Sequence, residues 1–281
     1  PAALSTCDTS VTRVTTSNTP RPRAARRRSE PVVDEAQDFL PADIVCCYAL
    51  RDGDNPVFMV VDQAQALHTG SSYQTPGSPA GANWLSVELF GSYRLPVAIA
   101  NCVRPLAESI QQTHEEEGIS TADIAIPHSR KASVVGVRPI VVVGDEAELA
   151  RSIHEIRSAY NGYLSAESES NQITICEPDL PLAGAIGGLG DQVYPTTVKR
   201  IKGLERGFVV WSTRTNLGNA DESAESVYTI ATRSSCILVI AVDPEETSDL
   251  SREILDKLDQ EHLMFWNQES ETWWDRAFSP F

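Results

Sequence analysis

"PVVDEAQDFLPADIV", residues 31–45, sets a short apolar run directly against two adjacent carboxylates, Asp34 and Glu35. A buried strand that ends in two acids needs a counter-charge. In parallel α/β sheets the carboxyl ends of the strands form the crevice where ligands sit. A divalent metal carrying a nucleotide supplies the missing positive charge there. The plainer alternative makes Asp34 or Asp38 the N-cap of a helix that starts near Leu40. These residues alone do not choose between the two readings, so the rest of the chain has to.

From Pro31 onward, short apolar runs alternate with helical periodicity. The runs "VFMVV" (57–61), "PIVVV" (139–143), "ITIC" (173–176), "FVVW" (208–211) and "CILVIAV" (236–242) read as strands. Residues 95–112, 145–160, 223–234 and 249–261 read as helices, with Asp145 and Glu146 as an acidic first turn for the second of them. Continuous apolar strands separated by amphipathic helices predict a parallel sheet covered on both faces. The stretches 69–83 and 177–191, rich in Gly and Pro, read as connections. Residues 1–30, rich in Ser, Thr, Pro and Arg, read as a disordered segment.

Composition narrows the function classes. The net charge is −16, and the first 30 residues hold six arginines against two acids, which leaves −20 for the remainder. A large duplex-DNA surface, built on Lys and Arg, is therefore excluded. A narrow basic groove for single strands is compatible with such a body. Six cysteines without paired spacing, two of them the adjacent Cys46 and Cys47, fit a reducing, intracellular compartment and leave nucleus and cytoplasm undistinguished. No apolar run approaches the ~20 residues that a membrane helix needs.

Further stretches follow the first in order: "VVDQAQALHTG" (60–70), "ELFGSYRLPVAIAN" (88–101), "TTVKRIKGLERGFVVW" (196–211) and "VYTIATRSSCILVIAV" (227–242). With "VVDEAQDF" (32–39) they resemble motifs II to VI of the UvrD/Rep-like superfamily 1 helicases, over about residues 31–242. The resemblance implies an α/β fold of the P-loop NTPase type, with RecA-like parallel sheets, flanking helices and one ATP between two motor domains. It implies that Asp34 holds Mg²⁺ and Glu35 polarises the attacking water, with Gln37 and Asp38 completing that motif. Gln65 would sense the γ-phosphate. Arg94 and Arg233 would reach that phosphate from the second domain, where a planar, permanently charged guanidinium suits the task. Glu205 would lie near the ribose, and Lys202 and Thr197 occupy the remaining motif V positions, Thr197 toward nucleic acid. Asp34, Glu35, Gln65, Arg94, Glu205 and Arg233, at strand ends and helix starts, are expected to converge on one interdomain cleft, because binding residues gather at the carboxyl edges of parallel strands.

Each residue also has a plainer reading: Arg94 as a surface ion pair, Gln65 as a loop cap, "KGLE" as a turn around a left-handed Gly203. The chain departs from the family as well. No Gly-x-x-x-x-Gly-Lys-Ser/Thr occurs in it, and Val61 replaces the glycine that usually precedes the motif III aspartate. The resemblance therefore implies a partial first motor domain over 31–92, a second over 93–245 and a C-terminal helical tail over 246–281. It also implies dependence on an upstream half for ATP turnover, with single-stranded nucleic acid, in this family usually DNA, as partner. The alternatives are a catalytically inactive RecA-like interaction module and a small-molecule enzyme using Asp34 and Glu35 with a metal.

Overall fold

The structure is a computed structural model that describes residues 10–15, 32–34, 36, 39, 41–50, 56–61, 83–87, 95–117, 137–164, 172–176, 179–214 and 223–266. Strand and helix alternate strictly through its larger part. The order is β5 (Ile140–Val143), α3 (Glu146–Ala159), β6 (Ile173–Cys176), α4 (Leu180–Gly188), β7 (Val193–Thr196) and α5 (Val198–Ile201). It continues through β8 (Arg206–Ser212), α6 (Ala224–Thr232), β9 (Ser234–Val242), α7 (Asp249–Asp256) and β10 (Met264–Phe265). The strands form one sheet in the order β10-β5-β9-β8-β6-β7, and every pairing in it is parallel.

The runs are continuously apolar because both faces are covered. Ile237, Val239 and Ala241 of β9 pack toward α3 and α4, with Leu149, Ile153, Leu182 and Ile186. Their alternates Leu238, Ile240 and Val242 pack on the opposite face, among residues of α2 (Val97–Glu116), α5, α6 and α7. Helix starts are chemically specified. Asp145 and Glu148 form a reciprocal capping box on α3, at 2.9 and 3.2 Å. Asp179, Ser223 and Ser248 cap α4, α6 and α7 through their side chains.

Helix α4 replaces the expected Gly/Pro connection over 177–191. Asp179 Oδ1 accepts the Leu182 N–H at 3.0 Å, and the buried Leu182, Ala183 and Ile186 give the segment an inner face that outweighs its glycines. The domain also continues past residue 245. Ile254, Leu255, Leu258 and Leu263 complete the α2/α6 core, and β10 pairs with β5, so the expected helical tail belongs to this domain at least to Trp266.

A smaller sheet has the order β2-β3-β1-β4, from β1 (Ser10–Thr15), β2 (Val32–Val33), β3 (Phe58–Val61) and β4 (Asn83–Val87). β2 and β3 are parallel, whereas β1 runs antiparallel to both β3 and β4. Residues 10–15 are thus a strand rather than part of a disordered segment. Their β-branched content favours pairing, and two neighbours satisfy the backbone. Val33, Ala36, Ile44, Tyr48, Val57 and Met59 form the core between this sheet and α1 (Pro41–Ala49). Among the described residues no helix is long and apolar enough to cross a membrane.

Candidate functional site

Two of the expected site residues meet at the amino edge of the large sheet. β8 begins at Arg206 and β9 at Ser234. The Arg206 N–H donates to the Arg233 carbonyl at 3.0 Å, and the Ser235 hydroxyl donates to the Arg206 carbonyl at 3.3 Å. The β8–β9 register then slips, from Arg206 opposite Ser234 to Phe208 opposite Ile237. That is one extra residue in β9, a local bulge of the kind that re-aims side chains. The exposed Glu205 directly precedes Arg206. Gly203, at φ 76°, sits in the left-handed region that lets the chain turn from α5 into β8. The Arg206 guanidinium lies 4.9 Å from the Tyr194 ring centroid, tying this corner to the edge strand β7.

Arg233 follows the last residue of α6 and is only 1% exposed. α6 is buried from Ser226 to Thr232, so Arg233 is carried by a helix with little freedom to shift. α2 runs antiparallel to α6: His114 in its last turn meets Glu225 in the first turn of α6, at 3.3 Å. The early turns of α2 lie at the amino edge. Asn101 bonds His262 at 3.3 Å, and the Cys102 carbonyl accepts the Asp259 N–H at 2.9 Å, just ahead of the start of β10. Leu95, the neighbour of Arg94 in the chain, is buried on this same helix start.

Thr197 lies at the other edge. Cys176 pairs with both Thr196 and Trp211, which puts Thr197 level with the carboxyl end of β8. From Arg206 to Trp211 the strand rises roughly 16 Å. α5 and the following residues 202–205 cover that height, with Val198 and Ile201 buried, Lys199 and Arg200 exposed and Lys202 half-buried. Glu205 and Arg233 precede their strands, so they stand at the amino edge and not at the carboxyl edge that motivated the interdomain cleft. Sequence position identifies a strand end but not which end faces a ligand.

Asp34 follows β2 and is exposed. Glu35, Gln37, Asp38, Gln65 and Arg94 lie outside the described residues. Among the described residues no group of three His, Cys, Asp or Glu side chains is arranged to hold a metal ion.

The carboxyl edge holds a constellation that the sequence reading did not single out. Arg214, just past β8, has a side chain only 5% exposed and is surrounded by carboxylates. Its Nε lies 3.0 Å from Glu246, 3.5 Å from Asp179 and 3.8 Å from Asp243, and its Nη2 lies 3.1 Å from Glu146. The Ser212 hydroxyl donates to Asp179 at 2.9 Å, and Thr213 and Thr247 share a hydrogen bond at 2.7 Å. Burial works against the Arg214 charge, but Asp179, Glu246 and Glu146 outweigh it and hold its pKa above the ordinary value. Burial pushes the Asp243 carboxyl up, against the opposing pull of the Glu245 N–H and Arg214. At this carboxyl edge the chain's own guanidinium supplies the counter-charge for Asp179, Asp243, Glu146 and Glu246. The signal was present in sequence: "GDE" (144–146), "EPD" (177–179), "STR" (212–214) and "DPEE" (243–246) each end an apolar strand in charge.

No protein-family model and no curated protein matches the chain. Among solved structures, it is similar to the C-terminal domain of a possible DNA helicase from Lactobacillus plantarum WCFS1. That match has 16% identity, covers 62% of this chain and 99% of that one, and has a TM-score of 0.41. It is also similar to arterivirus nonstructural protein 10, a helicase, at 16% identity over 87% of this chain and 47% of that one, with a TM-score of 0.42. The chain thus spans about half the length of the arterivirus protein.

Proposed function

We propose that this chain carries the second motor domain, and part of the first, of a UvrD/Rep-like helicase-related protein with RecA-like domains. Such a protein couples Mg²⁺-ATP binding and hydrolysis to movement on single-stranded nucleic acid. One observation carries the reading. The 3.0 Å bond from the Arg206 N–H to the Arg233 carbonyl sets the end of "KGLE" beside the arginine of "ATRSS". Two stretches that resemble separate family motifs thereby share one corner of the sheet.

At that corner Glu205 is exposed for a ribose hydroxyl, and Arg233 supplies a fixed positive charge for phosphate. Thr197, beside the exposed Lys199 and Arg200, presents a small basic stretch in an otherwise acidic protein, which suits the phosphates of a single strand. Bound ATP supplies the reactive phosphoanhydride, and this chain's residues bind and orient it. By the same resemblance Asp34 would hold Mg²⁺, which when bound neutralises phosphate charge. Without a phosphate loop of its own, turnover is expected only with a polypeptide that supplies one, because positioning dominates phosphoryl transfer.

A second reading, an inactive RecA-like interaction module, is favoured by the 1% exposure of Arg233 and by the engagement of the carboxyl-edge acids with Arg214. Binding of a fluorescent ATP analogue and of oligo(dT) at low salt separates the two. Under the helicase reading the chain binds Mg²⁺-ATP weakly, and Arg233→Ala lowers that affinity about tenfold with folding retained. Thr197→Ala lowers oligo(dT) affinity alone. An Arg233→Ala protein that is folded and binds the analogue as wild type does leaves only the module reading.

A further inference from the structure

Helix α4 and the turn that ends it carry no polar side chain: residues 180–190 read "LPLAGAIGGLG". Leu182, Ala183 and Ile186 form the inner side, which packs beside α3 on the sheet. The outer side is equally apolar. Leu180 is 62% exposed and Leu189 46%, with Pro181, Gly184 and Gly188 exposed between them. A helix that is hydrophobic all round is normally buried all round. Among the described residues nothing covers this outer face.

The size of the face selects its occupant. A helix of nine residues presents an outline of roughly 130 Å². Each partner of a stable complex contributes ~800 Å². A second copy of the chain, itself at a net charge of −16, is therefore a poor match. A segment of the same chain needs no such area, because a short linker holds it at a millimolar effective concentration. The chain has such a segment on this side of the sheet. Trp266 belongs to the same core cluster as α4, its indole N–H donates to Glu155 of α3 at 3.3 Å, and its ring lies 6.4 Å from that of Tyr160. Residues 267–281, "NQESETWWDRAFSPF", follow it and hold Trp273, Trp274, Phe278 and Phe281. From β10 to β6, the strand that leads into α4, is four strand spacings, about 19 Å. Trp273 lies seven residues beyond Trp266, an extended reach of about 23 Å. The route crosses α3, which carries Arg151 and Arg157, and the crossing stretch carries Glu269 and Glu271. His154 of α3 meets Asp191, just past α4, at 2.8 Å, so the two helices offer one continuous surface.

We propose that the outer face of α4 is the docking surface for residues 267–281, which cross α3 as a strap and seat their aromatic side chains between Leu180 and Leu189. Reach, apolar composition and the charges along the route all suit this occupant. The strap closes the larger domain on its α3/α4 side, opposite the face that α2, α5 and α6 cover. It involves no nucleotide and no nucleic acid, so it stands apart from the function proposed above.

Photo-crosslinking of the full chain tests it. With benzoylphenylalanine in place of Phe278, irradiation should link that position to residues 180–189 within one molecule, as mapped by mass spectrometry of the monomer band. Leu180→Lys, an exposed position, should remove the link and leave the circular dichroism unchanged. Amide hydrogen exchange gives a second readout without the probe. In the full chain carrying both Trp273→Ser and Trp274→Ser, the α4 amides should exchange about threefold faster, with β8 and β9 as in wild type. No link to α4, a link formed only between two molecules, or α4 exchange that the tryptophan changes leave untouched would overturn the strap.

Discussion

Arg214 shows how a single residue is set by its surroundings. Two of its carboxylate partners, Asp179 and Asp243, are nearly buried, while Glu146 and Glu246 stand at the rim. Replacing the guanidinium by a neutral chain strands two buried carboxylates. Arg214→Met should therefore cost roughly 3–5 kcal/mol in urea unfolding at neutral pH. Asp243 responds in the opposite direction. Its carboxyl pKa is raised by burial, so the folded state holds that proton more tightly than the unfolded chain does. Its contribution is favourable at low pH and is lost as pH rises from the unfolded value through the higher folded one. Asp243→Asn keeps an oxygen for the Glu245 N–H and should raise the urea midpoint at pH 7, with the gain absent near pH 3. The acids were legible one by one as strand-end charges. Their convergence on one arginine was not, because Glu146, Asp179, Arg214 and Asp243 follow four different strands.

At the scale of the element, α4 is the informative case. Gly184, Gly187 and Gly188 have ordinary helical backbone, and a Cβ at any of them meets nothing within 4 Å. The fold requires none of the three to be glycine. Gly184→Ala should stabilise the protein by about 0.5–1 kcal/mol, read as a raised thermal midpoint. Its glycines and prolines made this helix illegible locally, since propensity is a weak prior and tertiary burial overrides it. α3 was legible for the opposite reason. Asp145 and Glu148 build its capping box from neighbours in the chain, and Leu149, Ile153 and Ile156 keep a helical period. β7, at "VYPT", escaped notice because a strand containing Pro195 lacks the apolar run. Its position as the outermost strand explains why the proline is tolerated there.

For the whole molecule, the boundary of the larger domain is the testable quantity. Ile254, Leu255, Leu258 and Leu263 are each at most 5% exposed. At about 1.5–3 kcal/mol apiece their burial rivals the roughly 5–15 kcal/mol that stabilises an ordinary domain. A chain ended at residue 245 should lose cooperative unfolding, whereas one ended after Trp266 should keep it. Limited proteolysis should accordingly leave a core that runs beyond 245. By itself the sequence determined the parallel α/β class and the identity of five strands and four helices, because apolar runs, helical periods and caps are written in neighbouring residues. It also placed Asp34 behind a strand, for the same local reason. Only the tertiary structure decided the strand order, the edge at which Glu205 and Arg233 meet, the opposite edge taken by Thr197, and the arginine on which the carboxyl-edge acids converge. Those depend on which distant strands pair and in which register, and pairing energy is settled by contacts between segments that no local pattern records.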